Sequence, residues 1–304
     1  MVSAKVDVLK RRIQGLQQLP TLPTIATEVM GLIRSPQSSM GALAQVIEND
    51  PALASKVLKV ANSAFYGMRE RVASLQFALT VLGMNEINNI VVSLSVVTAF
   101  PETPGRPTFD RDRFWQHCAA CGQIAKALAE RMDLNVAGEA FVGGLTHDIG
   151  RIVLDQYFHN DAMEVVSRSQ ARQITVLEAE REVLSTTHAE VGSWVAERWG
   201  LPKAIVETIA AHHGPESART YQVLADLVYL ANTLTQPVEH TDEEAAAAVA
   251  EAMAAPSWGR LAERSARFGR QDPSMLAQQL EEEVGKARDL VRISQAPDEA
   301  EVDA

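Results

Sequence analysis

Cysteine is scarce: Cys118 and Cys121 are the only two among 304 residues. That excludes a disulfide framework and fits a reducing compartment. Long apolar runs are missing as well. Residues Ile90 to Phe100 come nearest, but Ser93, Ser95 and Thr98 interrupt them, and a bilayer-spanning helix needs roughly 18–20 apolar residues. The opening stretch, Met1 to Asp7, lacks the apolar core of a secretion leader. A cytoplasmic location without membrane contact is therefore expected. Basic charge is in deficit: 28 Lys and Arg face 39 Asp and Glu, for a formal net charge of -11. A nucleic-acid binder usually carries the opposite balance, so no nucleic-acid partner is expected. Period-two strand patterns are absent too.

What is present is helical punctuation. Asp50 is placed to cap a helix with Pro51 in its first position, and Leu53, Val57, Leu58 and Ala61 share one side of it. Ser74 caps the next, which Gly83 ends. Asn85 to Phe100 reads as another helix, closed by Pro101. The Pro-rich stretch 101–109, PETPGRPTF, is a break. A long helix is expected from Arg111 to Met132, another from near Phe141, and two across Leu177–Trp199 with a break at Ser185–Thr187. Pro202 opens one that stops at Gly214, and Tyr221 to Thr235 makes one more. Residues 242–255, mainly Ala and Glu, suggest a surface helix, and Arg260 to Arg292 reads as further helix. The acidic end, QAPDEAEVDA, lacks apolar periodicity and is expected to be disordered. The expected fold is all-α: a helical subdomain over 1–105, a second over 106–236, and a C-terminal extension over 237–304.

Histidine placement carries the chemistry. Of seven histidines, His117 shares a helical stripe with Phe114, Cys121, Ile124 and Leu128. His188 lines up with Val191, Val195 and Trp199, and His213 with Val206, Ile209 and Ala210. His147 is followed at once by Asp148. A lone inward histidine is usually a hydrogen-bonded core residue. Several on separate helices leave many buried nitrogens to satisfy. Imidazoles with a carboxylate suit a divalent ion such as Fe, Mn, Zn or Ni. The Cys118–Cys121 pair has CxxC spacing but lies in mid-helix without a second pair, so it reads as two small core residues.

The segment GGLTHDIGRIVLDQY, residues 143–157, resembles the signature of HD-type metal-dependent phosphohydrolases. The order His117, His147-Asp148, His188, His212-His213 is similar to the HD-GYP branch, which hydrolyses cyclic di-GMP at two or three metals. That resemblance implies His117, His147, Asp148, His188, His212 and His213 as ligands, with Asp148 bridging. Three further segments, LPTLPTIATEVMGLI, NDPALASKVLKVANSAFYG (residues 49–67) and SLQFALTVLGMNEI, closely resemble the HDOD family, whose name denotes an HD-related output domain. The closing stretch AERWGLPKAIVETIAAHHGPE fits the same family. The resemblance spans roughly residues 15–235.

HDOD membership implies a bacterial regulatory module that works through protein–protein contacts, generally without enzymatic activity. The retained histidines add the expectation of a metal site. Three departures from the active HD-GYP pattern bear on catalysis. Arg151 stands where Lys is usual; Asp148 and Arg151 would be its catalytic residues if the chain were active. HHGPES lacks both the following Glu and the GYP loop. Asn232 occupies the place of the terminal Asp, and Asp226 lies more than a turn away. The expected partners are a signalling protein, a phosphorylated small molecule in the pocket, and a second copy of the chain. The alternative is a phosphohydrolase acting on a nucleotide or cyclic dinucleotide.

Overall fold

The computed structural model describes residues 2–16, 19–101, 107–235, 242–265 and 273–296. Most of the expected break at 101–109 and the acidic end from 297 onward lie outside them. Every regular element among the described residues is a helix. The N-terminal set is α1 (Val2–Gly15), α2 (Thr24–Arg34), α3 (Met40–Glu48), α4 (Pro51–Ala61), α5 (Leu75–Leu82) and α6 (Met84–Ala99). Short polar side chains set their starts, as the sequence suggests. Asp50 accepts from the Leu53 amide and Ser74 from the Phe77 amide. Gly83 takes a φ of 83°, which lets the chain turn by 116° between α5 and α6. Among the described residues no single helix is long and apolar enough to cross a membrane.

The second set begins with α7 (Arg111–Arg131) and α8 (Ala137–Thr146), followed by α9 (Ile149–Tyr157), α10 (His159–Arg172), α11 (Val176–Leu184), α12 (His188–Arg198) and α13 (Lys203–Ala211). Then come α14 (Gln222–Thr235), α15 (Asp242–Ala254), α16 (Pro256–Arg264) and α17 (Pro273–Gln295). Two details differ from the sequence reading. The expected helix over Arg260 to Arg292 is two, each opened by a proline, Pro256 and Pro273, because a ring without an N–H is tolerated only in a first turn. α13 ends at Ala211, so His212 and His213 follow the helix rather than ride its stripe.

α7 is the spine. Its Phe114, Trp115, Cys118 and Ala119 belong to a core that runs through the N-terminal helices and α8–α13. Its Cys121, Ile124, Ala125 and Leu128 belong to a second core with α14, α15, α16 and the start of α17. The CxxC pair is buried as two small core residues, and Trp115, Trp194, Trp199 and Trp258 are all buried. Each fully buried Leu or Ile contributes about 1.5–3 kcal/mol. α7 and α8 meet backbone to backbone through glycine. A Cβ on Gly122 would lie 2.7 Å from the Phe141 carbonyl oxygen, and one on Gly144 2.6 Å from the Gly122 Cα.

A polar junction ties this spine to the N-terminal helices. Lys126 on α7 donates to Glu86 on α6 at 2.8 Å, and the Tyr66 hydroxyl donates to the same carboxylate oxygen at 2.8 Å. The Lys126 ammonium lies 4.6 Å and 4.7 Å from the Phe65 and Tyr66 ring centres. Phe65 meets Phe141 edge-on at 4.8 Å. Asn62 holds the loop beyond, donating to the Val72 carbonyl and accepting from its amide, both at 2.8 Å.

Candidate metal centre

Four chain segments deliver the six expected ligands to one place. His117 sits in the second turn of α7. His147 and Asp148 form the joint between α8 and α9. His188 is the first residue of α12, and His212 and His213 follow α13. The start of α12 is fixed by a capping box, in which Thr187 and Glu190 satisfy each other's backbone. The crossing of α9 over α12 is as close as backbones allow: a Cβ on Gly150 would lie 1.9 Å from the His188 carbonyl oxygen.

Asp148 is the hub. One of its oxygens, Oδ1, lies 3.1 Å from His188 Nε2 and 3.5 Å from His212 Nε2. Its Oδ2 lies 3.6 Å from His147 Nε2 and accepts from Arg151 at 3.0 Å. His188 Nε2 is 3.4 Å from His212 Nε2 and 3.0 Å from His213 Nε2. The donors form two groups, each within 4.8 Å: His117, His147 and Asp148, and Asp148, His188, His212 and His213. Asp148, His147, His188 and His212 are buried, while His117, His213 and Arg151 are part-exposed.

The far side of each imidazole decides what the near side offers. His147 Nδ1 stands 2.6 Å from the Gly144 carbonyl, and His212 Nδ1 2.7 Å from the Ile209 carbonyl. A carbonyl oxygen only accepts, so both Nδ1 atoms carry the proton and both Nε2 atoms present lone pairs. His147 Nε2 is buried without a hydrogen-bond partner and faces a carboxylate oxygen. A lone pair aimed at an anion inside a core is costly unless a cation lies between them. The residues present thus fit a divalent metal, with outer partners that fix each ring.

The HDOD domain family model matches residues 19–215, about two thirds of the chain. The chain belongs to the HDOD family. An HDOD domain protein of unknown function from Geobacter sulfurreducens superposes with a TM-score of 0.75 at 24% identity, over 96% of this chain and 98% of that one. A protein from Shewanella amazonensis that carries a provisional phosphohydrolase name gives 0.71 at 26% identity, over 96% and 97%. An uncharacterised Treponema pallidum protein is 26% identical over 219 residues, 71% of this chain. The chain spans 42% of that relative's length.

Within this HDOD pocket the electrostatics follow from burial and from Asp148. Burial pushes the His147 pKa down to about 3 and that of His213 far down. Burial opposes charge on His188 as well, but Glu180 and Asp148 outweigh it and hold its pKa near 9. For Asp148, burial is overcome by His147, Arg151 and His188, so its carboxyl stays ionised well below the usual range. Asn232, where the resemblance expects an Asp, is buried and lies within hydrogen-bonding reach of His117. Asp226 is instead engaged by Arg260 on α16, through both carboxylate oxygens.

One polar residue of the site escaped the sequence reading. Glu180 on α11 is buried and accepts from the His188 amide at 2.9 Å and from His188 Nδ1 at 2.8 Å. The available signal was its position: Leu177, Glu180 and Leu184 share one stripe of α11, so an acid occupies a core place there.

Proposed function

We propose that this protein is a bacterial, cytoplasmic signalling module whose HD-like pocket takes up divalent metal, and whose metal-bound form is read by a partner protein. The family supports the signalling role. The observation that carries the metal is the buried, unpartnered His147 Nε2 facing Asp148. Asp148 would be shared between two ions. His117 and His147 would hold one from α7 and the end of α8, and His188, His212 and His213 the other from the start of α12 and the residues after α13. Glu180 fixes the His188 ring, and the Gly144 and Ile209 carbonyls fix those of His147 and His212. The mixed nitrogen and oxygen donors favour Fe, Mn, Zn or Ni over Mg or Ca.

A second reading, hydrolysis of a phosphoester, is favoured by one feature: a single carboxylate common to both donor groups, with a guanidinium on it. Bound ions would supply Lewis acidity and a lowered water pKa there. Arg151 pairs with Asp148 and reaches solvent, its guanidinium 5.3 Å from the Phe109 ring centre, so it can orient an anionic group at the mouth. Elemental analysis of untagged protein, beside His147→Ala/Asp148→Ala, tests the site. Stoichiometric metal lost in the variant is expected. No metal in either, with equal melting temperatures, would sink the proposal. A screen of phosphodiesters and nucleotides with Mn, Fe or Ni present then separates the two readings.

A further inference from the structure

The two donor groups that share Asp148 hang on different parts of the fold. His188 opens α12, and His212 and His213 follow α13, with Glu180 behind His188. His117 and His147 belong to α7 and the end of α8. Those two helices are fused back to back at Gly122 and Gly144, where neither backbone has room to slide. They therefore carry a displacement as one body. Lys126 lies nine residues beyond His117 on that body, about 14 Å along the axis. There it is nearly buried, bonded to Glu86, and seated against Phe65 and Tyr66. Phe141 on α8 packs on the same Phe65. Gly138 opens α8 so close to α6 that a Cβ would lie 2.9 Å from Glu86 Oε2. These contacts join the α7–α8 body to the N-terminal helices and run clear of α12 and α13.

We infer that Lys126, acting through Glu86 and Tyr66, is a positioning residue for one of the two ion subsites: the one formed by His117, His147 and Asp148. The inference rests on the metal reading of the pocket. Its physical basis is tolerance. Ligand geometry must hold within about 0.5 Å for tight binding, and the part-buried Lys126–Glu86 pair helps to set where the α7–α8 body stands against the N-terminal helices. The His188–His212–His213 subsite is held by α12, α13 and Glu180 and meets the α7–α8 body through the shared Asp148 and the Gly143–Thr208 contact, so loosening the junction disturbs it less than the His117–His147 side. Whatever docks against the N-terminal helices and disturbs Tyr66 or Glu86 would then tune one ion more than the other.

The test is calorimetric titration of Mn or Zn into chelator-stripped full chain, with thermal melting in parallel, for wild type, K126M, K126R, Y66F and H117A. Wild type is expected to take two ions. K126M weakens one ion the less and binds the other about tenfold or more weakly, in the range for outer-sphere partners. H117A loses that same ion, and K126R restores part of it. If K126M does not fold, Y66F supplies a smaller shift, greater for the same ion. Equal weakening of both ions, no change in folded K126M, or a single wild-type ion indifferent to H117A overturns the inference while metal binding stands. A wild type that takes up no ion defeats the metal reading, and the inference with it.

Discussion

Glu180 and His188 are joined twice, through the His188 amide at 2.9 Å and through its Nδ1 at 2.8 Å. The carboxylate therefore sets both where the ring begins and which nitrogen faces the pocket. Glu180→Gln keeps the shape but removes the charge and one acceptor. It is expected to weaken metal binding by about 10–100-fold with only a modest change in melting temperature. Isothermal titration beside circular dichroism melting checks this. Unchanged affinity would show that His188 is oriented by packing alone.

Gly150 permits the α9–α12 crossing. An added methyl would lie 1.9 Å from the His188 carbonyl oxygen and 2.7 Å from the Gly192 amide nitrogen, both backbone atoms with nowhere to retreat. Gly150→Ala is expected to cost about 3 kcal/mol and to part His188 from Asp148. Gly259, in α16, has nothing within 4 Å of its added carbon. Gly259→Ala should be neutral or gain up to about 1 kcal/mol. Denaturant melts of the two variants give opposite signs if the crossing matters as described.

Asp226 is a buried carboxylate answered by Arg260, whose side chain is 33% exposed. Arg260→Ala leaves the carboxylate unanswered. Loss of a fully buried partner costs about 3–5 kcal/mol, and the exposure of Arg260 reduces this to about 2 kcal/mol. Asp226→Asn should leave metal content unchanged, because Asp226 faces Arg260 and not the histidines. A drop in bound metal on that substitution would contradict the arrangement.

The junction should make stability depend on pH in a defined window. Burial alone would raise the Glu86 pKa, but Lys126, with help from Tyr66 and Asn89, outweighs it and holds the pKa below 4.5. A carboxyl lowered in the folded state stabilises it fully above the unfolded value, and the contribution fades as pH falls through the folded value. The melting temperatures of wild type and Glu86→Gln should thus differ near neutrality and converge in acid. A gap that persists at the acid end would assign Glu86 a role other than its charge.

The helices were legible because their punctuation is local. Asp50, Ser74 and Gly83 each act within four residues of themselves, and each does in the structure what its position suggests. The six pocket residues were legible through motif order, and the structure brings all six together. What stayed hidden depends on contacts across the chain. Glu180 needs His188 to explain it, and Lys126 needs Glu86, forty residues earlier. The end of α13 at Ala211 was also beyond periodicity, since His212 and His213 continue an apolar-looking stripe past the last helical turn.

Because α7 supplies side chains to both cores, neither can come apart while the other keeps its full lining. The amide protons of Cys118 to Leu128 should then exchange with solvent only through complete unfolding, more slowly than those of α1 or α15. Heat would meet the described body as one cooperative block and give a single transition in the calorimeter.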